Sequence, residues 1–367
     1  MVEAEATDAV VKNVVVKDVV VIGGGQAGLA AGFYLARAGA DFEILDGSEG
    51  PGGAWPHTWP SLRLFSPADY SSLPGRRMHR TDGGNPDAAH VVEYLRGYEE
   101  YYGLPVRRGI GVTRVERGDP EGFVVHAADG RRWRARVVIS ATGTWSRPFV
   151  PTYPGVGGFR GAQIHSAGYR GPEAFRGRRV VVVGGANSGA QIAADLAAVL
   201  DPGRGELIWC TTGPPRYLPD DVDGRELFRV ASASVRAPAG ENGGGRGVAA
   251  LGDIVVVPPV RAARDAGLLV ATPMFDRFHP DGVEWDDGRR EPVDAVIWCT
   301  GFRPALGHLR GLGLPRVNGR VVADGPAVPG VPGLFLLGYG DWCGAASATL
   351  IGVGQWAKAA VAAALGR

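Results

Sequence analysis

A short β-branched run that ends in a spaced glycine turn occurs twice in this chain. Val19-Val20-Val21-Ile22 leads into Gly23-Gly24-Gly25-Gln26-Ala27-Gly28. An Ala- and Leu-rich stretch follows to Ala38, Gly39 stops it, and Phe42-Glu43-Ile44-Leu45 reads as a second strand. The pattern returns 161 positions later (Gly23 to Gly184), where Arg179–Val183 runs into Gly184-Gly185-Ala186-Asn187-Ser188-Gly189. A helix through Leu200 and a strand over Glu206–Thr211 follow it. Strand, glycine turn, helix and strand within about thirty residues form the βαβ unit of dinucleotide-binding folds.

The repeat extends beyond these units. Phe123–His126, the Asp129-Gly130 turn and Trp133–Ile139 read as a hairpin that closes in Thr142-Gly143. In the second half, Gly282–Trp285, the Asp287-Gly288 turn and Val293–Trp298 close in Thr300-Gly301. Leu334–Leu337 then reads as a buried strand, followed by Gly340-Asp341 and an Ala-rich C-terminal helix. The expected fold class is α/β with two Rossmann-like dinucleotide-binding domains, the second inserted into a discontinuous first. Pro148–Pro154 marks the outgoing linker and the region near Gly301 the return, with residues 1–150 and 296–367 given to the first domain and 151–295 to the second. Residues 236–247 read as a mobile surface loop.

In the first turn, Gly23, Gly25 and Gly28 hold the three glycine positions: a tight turn, backbone access to a pyrophosphate, and close helix–strand packing. Gln26 and Ala27 lie within this turn, and the N-terminus of the helix that follows would present its free N–H groups to that pyrophosphate. Asp46, 18 residues past Gly28, is placed to accept ribose hydroxyls. The second turn keeps Gly184 and Gly189 but has Ala186 in the middle, where a Cβ crowds a pyrophosphate slightly. Asn187 and Ser188 can either donate to phosphates or cap the helix. No acid follows Thr211-Thr212, which leans towards NADPH over NADH, and Arg216 is the candidate partner of a 2′-phosphate or an ordinary solvated loop arginine.

Composition removes other classes. The net charge is +1, so no large field draws the chain to nucleic acid or an anionic membrane. Glycine makes up 58 of 367 residues without a Gly-X-Y period, so its excess belongs to turns and close backbone approaches. Cys210, Cys299 and Cys343 form no Cys-x-x-Cys pair, which removes a dithiol mechanism and thiolate zinc sites. No metal-ligand spacing occurs among the seven histidines. The apolar run from Val10 to Ile22 is interrupted by Lys12, Asn13, Lys17 and Asp18, so neither a signal peptide nor a membrane span is expected, and the expected compartment is the cytoplasm.

From Val19 to the C-terminal helix the chain resembles the class B flavin-dependent monooxygenases. The most specific element is Phe159-Arg160-Gly161-Ala162-Gln163-Ile164-His165-Ser166-Ala167-Gly168-Tyr169, similar to that family's F-x-G-x-x-x-H-x-x-x-[FY] motif. The Baeyer–Villiger branch usually ends this motif in Trp, which Tyr169 does not follow. Gly52-Gly53-x-Trp55, both Thr-Gly strand ends and Gly340-Asp341 fall in the family's order. Within the family, His57–Pro67 and Leu218–Arg225 resemble the short bacterial ArsO-type enzymes, and the first of these segments also aligns with the plant YUCCA monooxygenases.

The resemblance implies FAD in the first module and NADPH in the second, with Asp341 at the ribityl chain and His165 setting domain orientation. It implies Trp55, His57 and Phe65 in the flavin-facing cleft, although ordinary core packing also accounts for such aromatics. Phe65 falls where the N-oxygenating branch commonly has Asn, so amine substrates are not carried over. The implied reaction is oxygenation of a small molecule through a C4a-peroxyflavin, the substrate being a soft nucleophile such as sulfur or trivalent arsenic. Two alternatives stay open: an NAD(P)H oxidase that releases hydrogen peroxide, and an electron-transfer flavoprotein with a protein acceptor. Cys343, two residues past Asp341, reads as a small pocket residue.

Overall fold

The structure is a computed structural model that describes residues 14–81, 84–200, 205–220 and 254–366. The loop expected over 236–247 and the end of Leu218–Arg225 lie outside the described residues. Two sheets carry the architecture. The first has seven strands, with Phe42–Leu45, Val14–Ile22 and Arg132–Ser140 side by side and Leu334–Leu336 joined parallel to Arg132–Ser140. The second has five parallel strands in the order Ala271–Pro273, Glu206–Thr211, Arg179–Val183, Ala295–Trp298 and Ala162–His165.

Unbroken β-branched runs suit central parallel strands because both faces are covered. Side chains alternate across a strand. Val19 and Val21 therefore enter one core, with the helices Gln26–Arg37, Ala88–Tyr101 and Val353–Ala364, while Val20 and Ile22 enter another on the opposite face. The second sheet divides in the same way, Val180 and Val182 against Val181 and Val183. All of Val19, Val20, Val21, Val180, Val181 and Val182 are fully buried, each contributing about 2 kcal/mol by area removed from water.

The two halves differ where the hairpin meets the central strand. In the first module Arg132–Ser140 serves as both hairpin arm and sheet strand. In the second, where one strand over Val293–Trp298 is expected, the arm is Arg290–Pro292 and the sheet strand is Ala295–Trp298. Pro292 has no N–H to continue a ladder, and the chain turns there, with Asp294 Oδ2 accepting from Arg179 N at 2.7 Å. A separate three-stranded sheet results. The strand Ala295–Trp298 runs parallel to both Arg179–Val183 and Ala162–His165. The second glycine-turn helix spans Asn187–Ala197 and stops three residues short of Leu200.

Candidate active site

The two glycine turns have one geometry. A Cβ on Gly23 would lie 2.5 Å from the Ala141 carbonyl oxygen, and one on Gly184 would lie 2.4 Å from that of Cys299. Both glycines have positive φ, +107° and +135°, which L side chains avoid. A Cβ on Gly28 would meet the Gly23 oxygen at 1.8 Å, and one on Gly189 the Gly184 oxygen at 2.0 Å. These four positions thus lock each helix against its own strand and against the strand that ends in Thr-Gly.

The middle position behaves differently. Gly25 and Ala186 are the N-caps of their helices, both with φ on the negative side and extended ψ, so the backbone accepts a Cβ. A Cβ on Gly25 would lie 3.5 Å from Gly53 Cα, an ordinary contact, whereas one on Gly53 would lie 2.8 Å from Gly25 Cα, so the close approach constrains Gly53.

Neither helix N-terminus has a side-chain cap, and neither has an acid in its first turn. The helix Ala88–Tyr101 provides the contrast, with the Asp87 carboxylate accepting from His90 N at 2.9 Å. Uncapped N–H groups on a glycine-cleared turn suit an anionic phosphate, so both turns fit a dinucleotide. Asn187 does not cap its helix: its side-chain oxygen accepts from Val255 N at 2.9 Å. Ser188 is half-buried in the first turn.

Asp46 is buried at the end of its strand, with Oδ1 accepting from Ser48 N at 3.1 Å and Oδ2 ion-paired to Arg108. Arg108 also pairs with Glu99. Sequence reasoning missed this arginine, whose only signal is its place just past the strand Val106–Arg107. Ala27 is buried beneath Gly338, and Gln26 bridges two loops by donating to Ala348 O at 2.7 Å and accepting from Trp55 Nε1 at 3.1 Å. Gly340 takes φ +108°, and Asp341 Oδ1 accepts from Ala346 N at 2.8 Å, which fixes the loop that carries the carboxylate.

The two chain crossings between the sheets run antiparallel. Phe149 N donates to Gly301 O at 3.0 Å, Arg303 N to Arg147 O at 2.8 Å and Ala305 N to Gly143 O at 2.9 Å, while Thr300 Oγ1 donates to Phe149 O. His165 secures this pair. Its Nε2–H donates to Gly301 O at 3.0 Å and its Nδ1 accepts from Ala167 N at 3.1 Å, while its ring meets Phe302 edge-on at 4.8 Å. Burial holds the imidazole below its ordinary pKa. The neutral tautomer set by these two bonds makes it a positioning group.

Behind Thr142 lies a buried chain of hydroxyls. The Tyr339 hydroxyl accepts from Thr142 N at 3.1 Å and bonds the hydroxyls of Ser140 and Thr142 at 2.5 and 2.7 Å. The Ser140 hydroxyl and His308 Nε2 share a hydrogen bond of 3.0 Å, and Thr142 Oγ1 donates to Ala305 O at 2.9 Å. Burial lowers His308 to a pKa of about 4. None of Ser140, His308 or Tyr339 stands out in the sequence, although Tyr339 directly precedes Gly340-Asp341.

The segment 55–65 joins the two cores. Trp55 packs against the first module, while Phe65, with Trp59 and Leu62, belongs to the core of the second. His57 between them is exposed. Trp59 meets Tyr169, the last residue of the F-x-G motif, edge-on at 6.2 Å. Arg216 is exposed past the strand Glu206–Thr211, with its carbonyl accepting from Ile254 N at 2.8 Å. Cys343 is buried against Gly340 O and Ser347 Oγ, at 3.2 and 3.3 Å from Sγ. Among the described residues no group of His, Cys, Asp and Glu could hold a metal ion, and no helix is long and apolar enough to cross a membrane.

A family model for pyridine nucleotide-disulphide oxidoreductases matches residues 20–200. A solved flavin-containing monooxygenase from Stenotrophomonas maltophilia is 49% identical, with 96% of this chain and 99% of that chain covered at a TM-score of 0.86. An uncharacterized CzcO-like oxidoreductase of Geobacillus kaustophilus is 27% identical over 88% of this chain and 90% of its own. The indole-3-pyruvate monooxygenase YUCCA4 of Oryza sativa is 27% identical over 81% of this chain and 76% of its own length.

Proposed function

The chain belongs to the flavin-containing monooxygenases, and on that premise we propose that it oxygenates a small molecule at a soft nucleophilic atom, sulfur or trivalent arsenic. It is an FAD- and NADPH-dependent oxidoreductase built on two dinucleotide-binding modules. When bound, the two cofactors supply hydride transfer and oxygen activation. The protein groups bind, orient and exclude water.

In this reading the N-terminus of Gln26–Arg37 carries the FAD pyrophosphate, Asp46 the adenosine ribose and Asp341 the ribityl chain. Gly53, Thr142, Gly143 and Gly340 complete that set. The N-terminus of Asn187–Ala197 carries the NADPH pyrophosphate, with Asn187, Ser188 and Arg216 around it, and Thr300-Gly301 and His165 hold the crossing. Residues up to Phe149 and from Gly301 onward form the FAD module. Three buried free thiols are in keeping with a reducing, cytoplasmic setting.

The observation that carries the substrate reading is the segment 55–65. It ties the two cores together through aromatic side chains, Trp55 on one and Phe65 on the other. In this reading the cleft between them would have apolar walls and no acid–base pair, which suits an atom that attacks through its own lone pair. The same Phe65 brings no hydrogen-bond donor, and that favours the oxidase as the second reading. Product analysis under excess NADPH separates the two. A dialkyl sulfide or arsenite should be converted one-for-one with NADPH, with hydrogen peroxide falling as substrate rises. Peroxide equal to NADPH consumed at every substrate concentration would leave the oxidase.

A further inference from the structure

Several of the described arginines are held in ion pairs. Arg108 pairs with Asp46 and Glu99, Arg264 with Asp220 and Asp265, Arg96 with Glu93 and Glu100. One crevice gathers five arginines together, none of them in an ion pair among the described residues. A cavity of 840 Å³ is lined by Arg147, Arg303, Arg310, Arg316 and Arg320, and its only acid is Asp341. Arg303 lies over the Phe149 ring at 4.2 Å, and Arg316 donates to Gly319 O at 3.1 Å. The guanidinium groups of Arg147, Arg310 and Arg320 have no hydrogen bond or ion pair among the described residues.

Five like charges around one concavity repel one another unless an anion is present, and a concave wall of one sign concentrates counter-ions. Arginine is the side chain whose planar fork matches the oxygens of phosphate, sulfate and carboxylate. The volume falls in the range of small-molecule sites. Neither glycine turn lines the crevice; of the residues placed around FAD, only Gly340 and Asp341 do. A ligand here would therefore adjoin the FAD site at Gly340 and Asp341 and lie clear of both glycine turns. Arg147 and Arg303 come from the paired crossings, while Arg310 follows them and Arg316 and Arg320 sit on the hairpin Arg316–Val317/Arg320–Val321.

We propose that this crevice is a binding site for a small polyanion, a molecule carrying at least two phosphate, sulfate or carboxylate groups, which it holds between the interdomain crossings and the loop of Asp341.

The test is calorimetric titration of FAD-loaded protein with inorganic tripolyphosphate, and in parallel with citrate, in the presence of saturating NADP⁺. The expected result is saturable one-to-one binding of at least one probe. It should weaken at least about tenfold in the double variant Arg310→Gln/Arg320→Gln, as loss of charge-assisted hydrogen bonds implies. Arg310→Lys/Arg320→Lys should keep part of the affinity. Arg114→Gln/Arg131→Gln, which removes the same charge elsewhere, should leave it unchanged. FAD content and the NADP⁺ dissociation constant, measured on each variant, should match the parent. Absence of saturable binding by either probe would overturn the proposal, as would equal weakening by the two Gln pairs.

Discussion

The Ser61 hydroxyl donates to the Asp195 carboxylate at 2.5 Å, joining residues 134 positions apart in the chain. Ser61 lies in the segment that leaves the first glycine-turn module, and Asp195 on the helix Asn187–Ala197 of the second. With Trp59 seated on Tyr169, this bond pins the segment 57–65 to the nucleotide module. Burial raises the Asp195 carboxyl above its ordinary 3.8, and the Ser61 and Tyr169 hydroxyls act against that shift. A folded-state pKa above the unfolded one means that the stabilising protonated form is fully present below 3.8 and is lost as pH rises through the folded value. Asp195→Asn should therefore flatten the pH dependence of stability just above pH 3.8, read by urea unfolding at a series of pH values. An unchanged slope would place Asp195 in solvent.

His308 has the opposite sign. Its imidazole is held neutral by burial, with a pKa of about 4 against an ordinary 6.5. Its stabilising contribution is present above 6.5 and is lost as pH falls through 4, on the order of 3 kcal/mol in all. His308→Gln should remove that loss, so that parent and variant unfolding curves converge or cross on acidification. Parallel curves would show that His308 charges freely in the folded protein.

The two glycine turns can be broken one at a time. Gly28→Ala forces a Cβ to within 1.8 Å of Gly23 O and Gly189→Ala to within 2.0 Å of Gly184 O, each costing about 1–3 kcal/mol of overpacking strain. Gly28→Ala should purify with little FAD. Gly189→Ala should retain FAD and lose reduction by NADPH. Ala186→Gly, at a position whose backbone is extended, should keep both. FAD absorbance and NADPH-dependent bleaching, measured on the three proteins, decide it.

Arg216→Ala should raise KM for NADPH far more than KM for NADH, because only NADPH carries the 2′-phosphate that a guanidinium would pair with. Equal rises would remove Arg216 from that site.

Both glycine turns, both Thr-Gly strand ends and the paired βαβ units were legible in the sequence because they are local patterns. Gly23, Gly28, Gly184 and Gly189 sit next to the strands that need them. The polar contacts were hidden. Arg108 reaches Asp46 across 62 positions and Ser140 reaches Tyr339 across 199, and a lone polar residue carries no period that announces its partner. The split at Pro292 was readable in principle, since proline cannot continue a ladder, but the first module's unbroken Arg132–Ser140 strand masked it. Trp55 packs against one core and Phe65 against the other, a division that no local pattern announces.

The most direct test of the account is anaerobic mixing of the FAD-loaded protein with NADPH, followed by admission of oxygen with a sulfide or arsenite present. The account predicts that NADPH bleaches the flavin's visible absorbance and that oxygen restores it, with one oxygenated product formed per NADPH. Flavin that dithionite bleaches but NADPH leaves untouched would contradict the assignment of the second module, and with it the reaction.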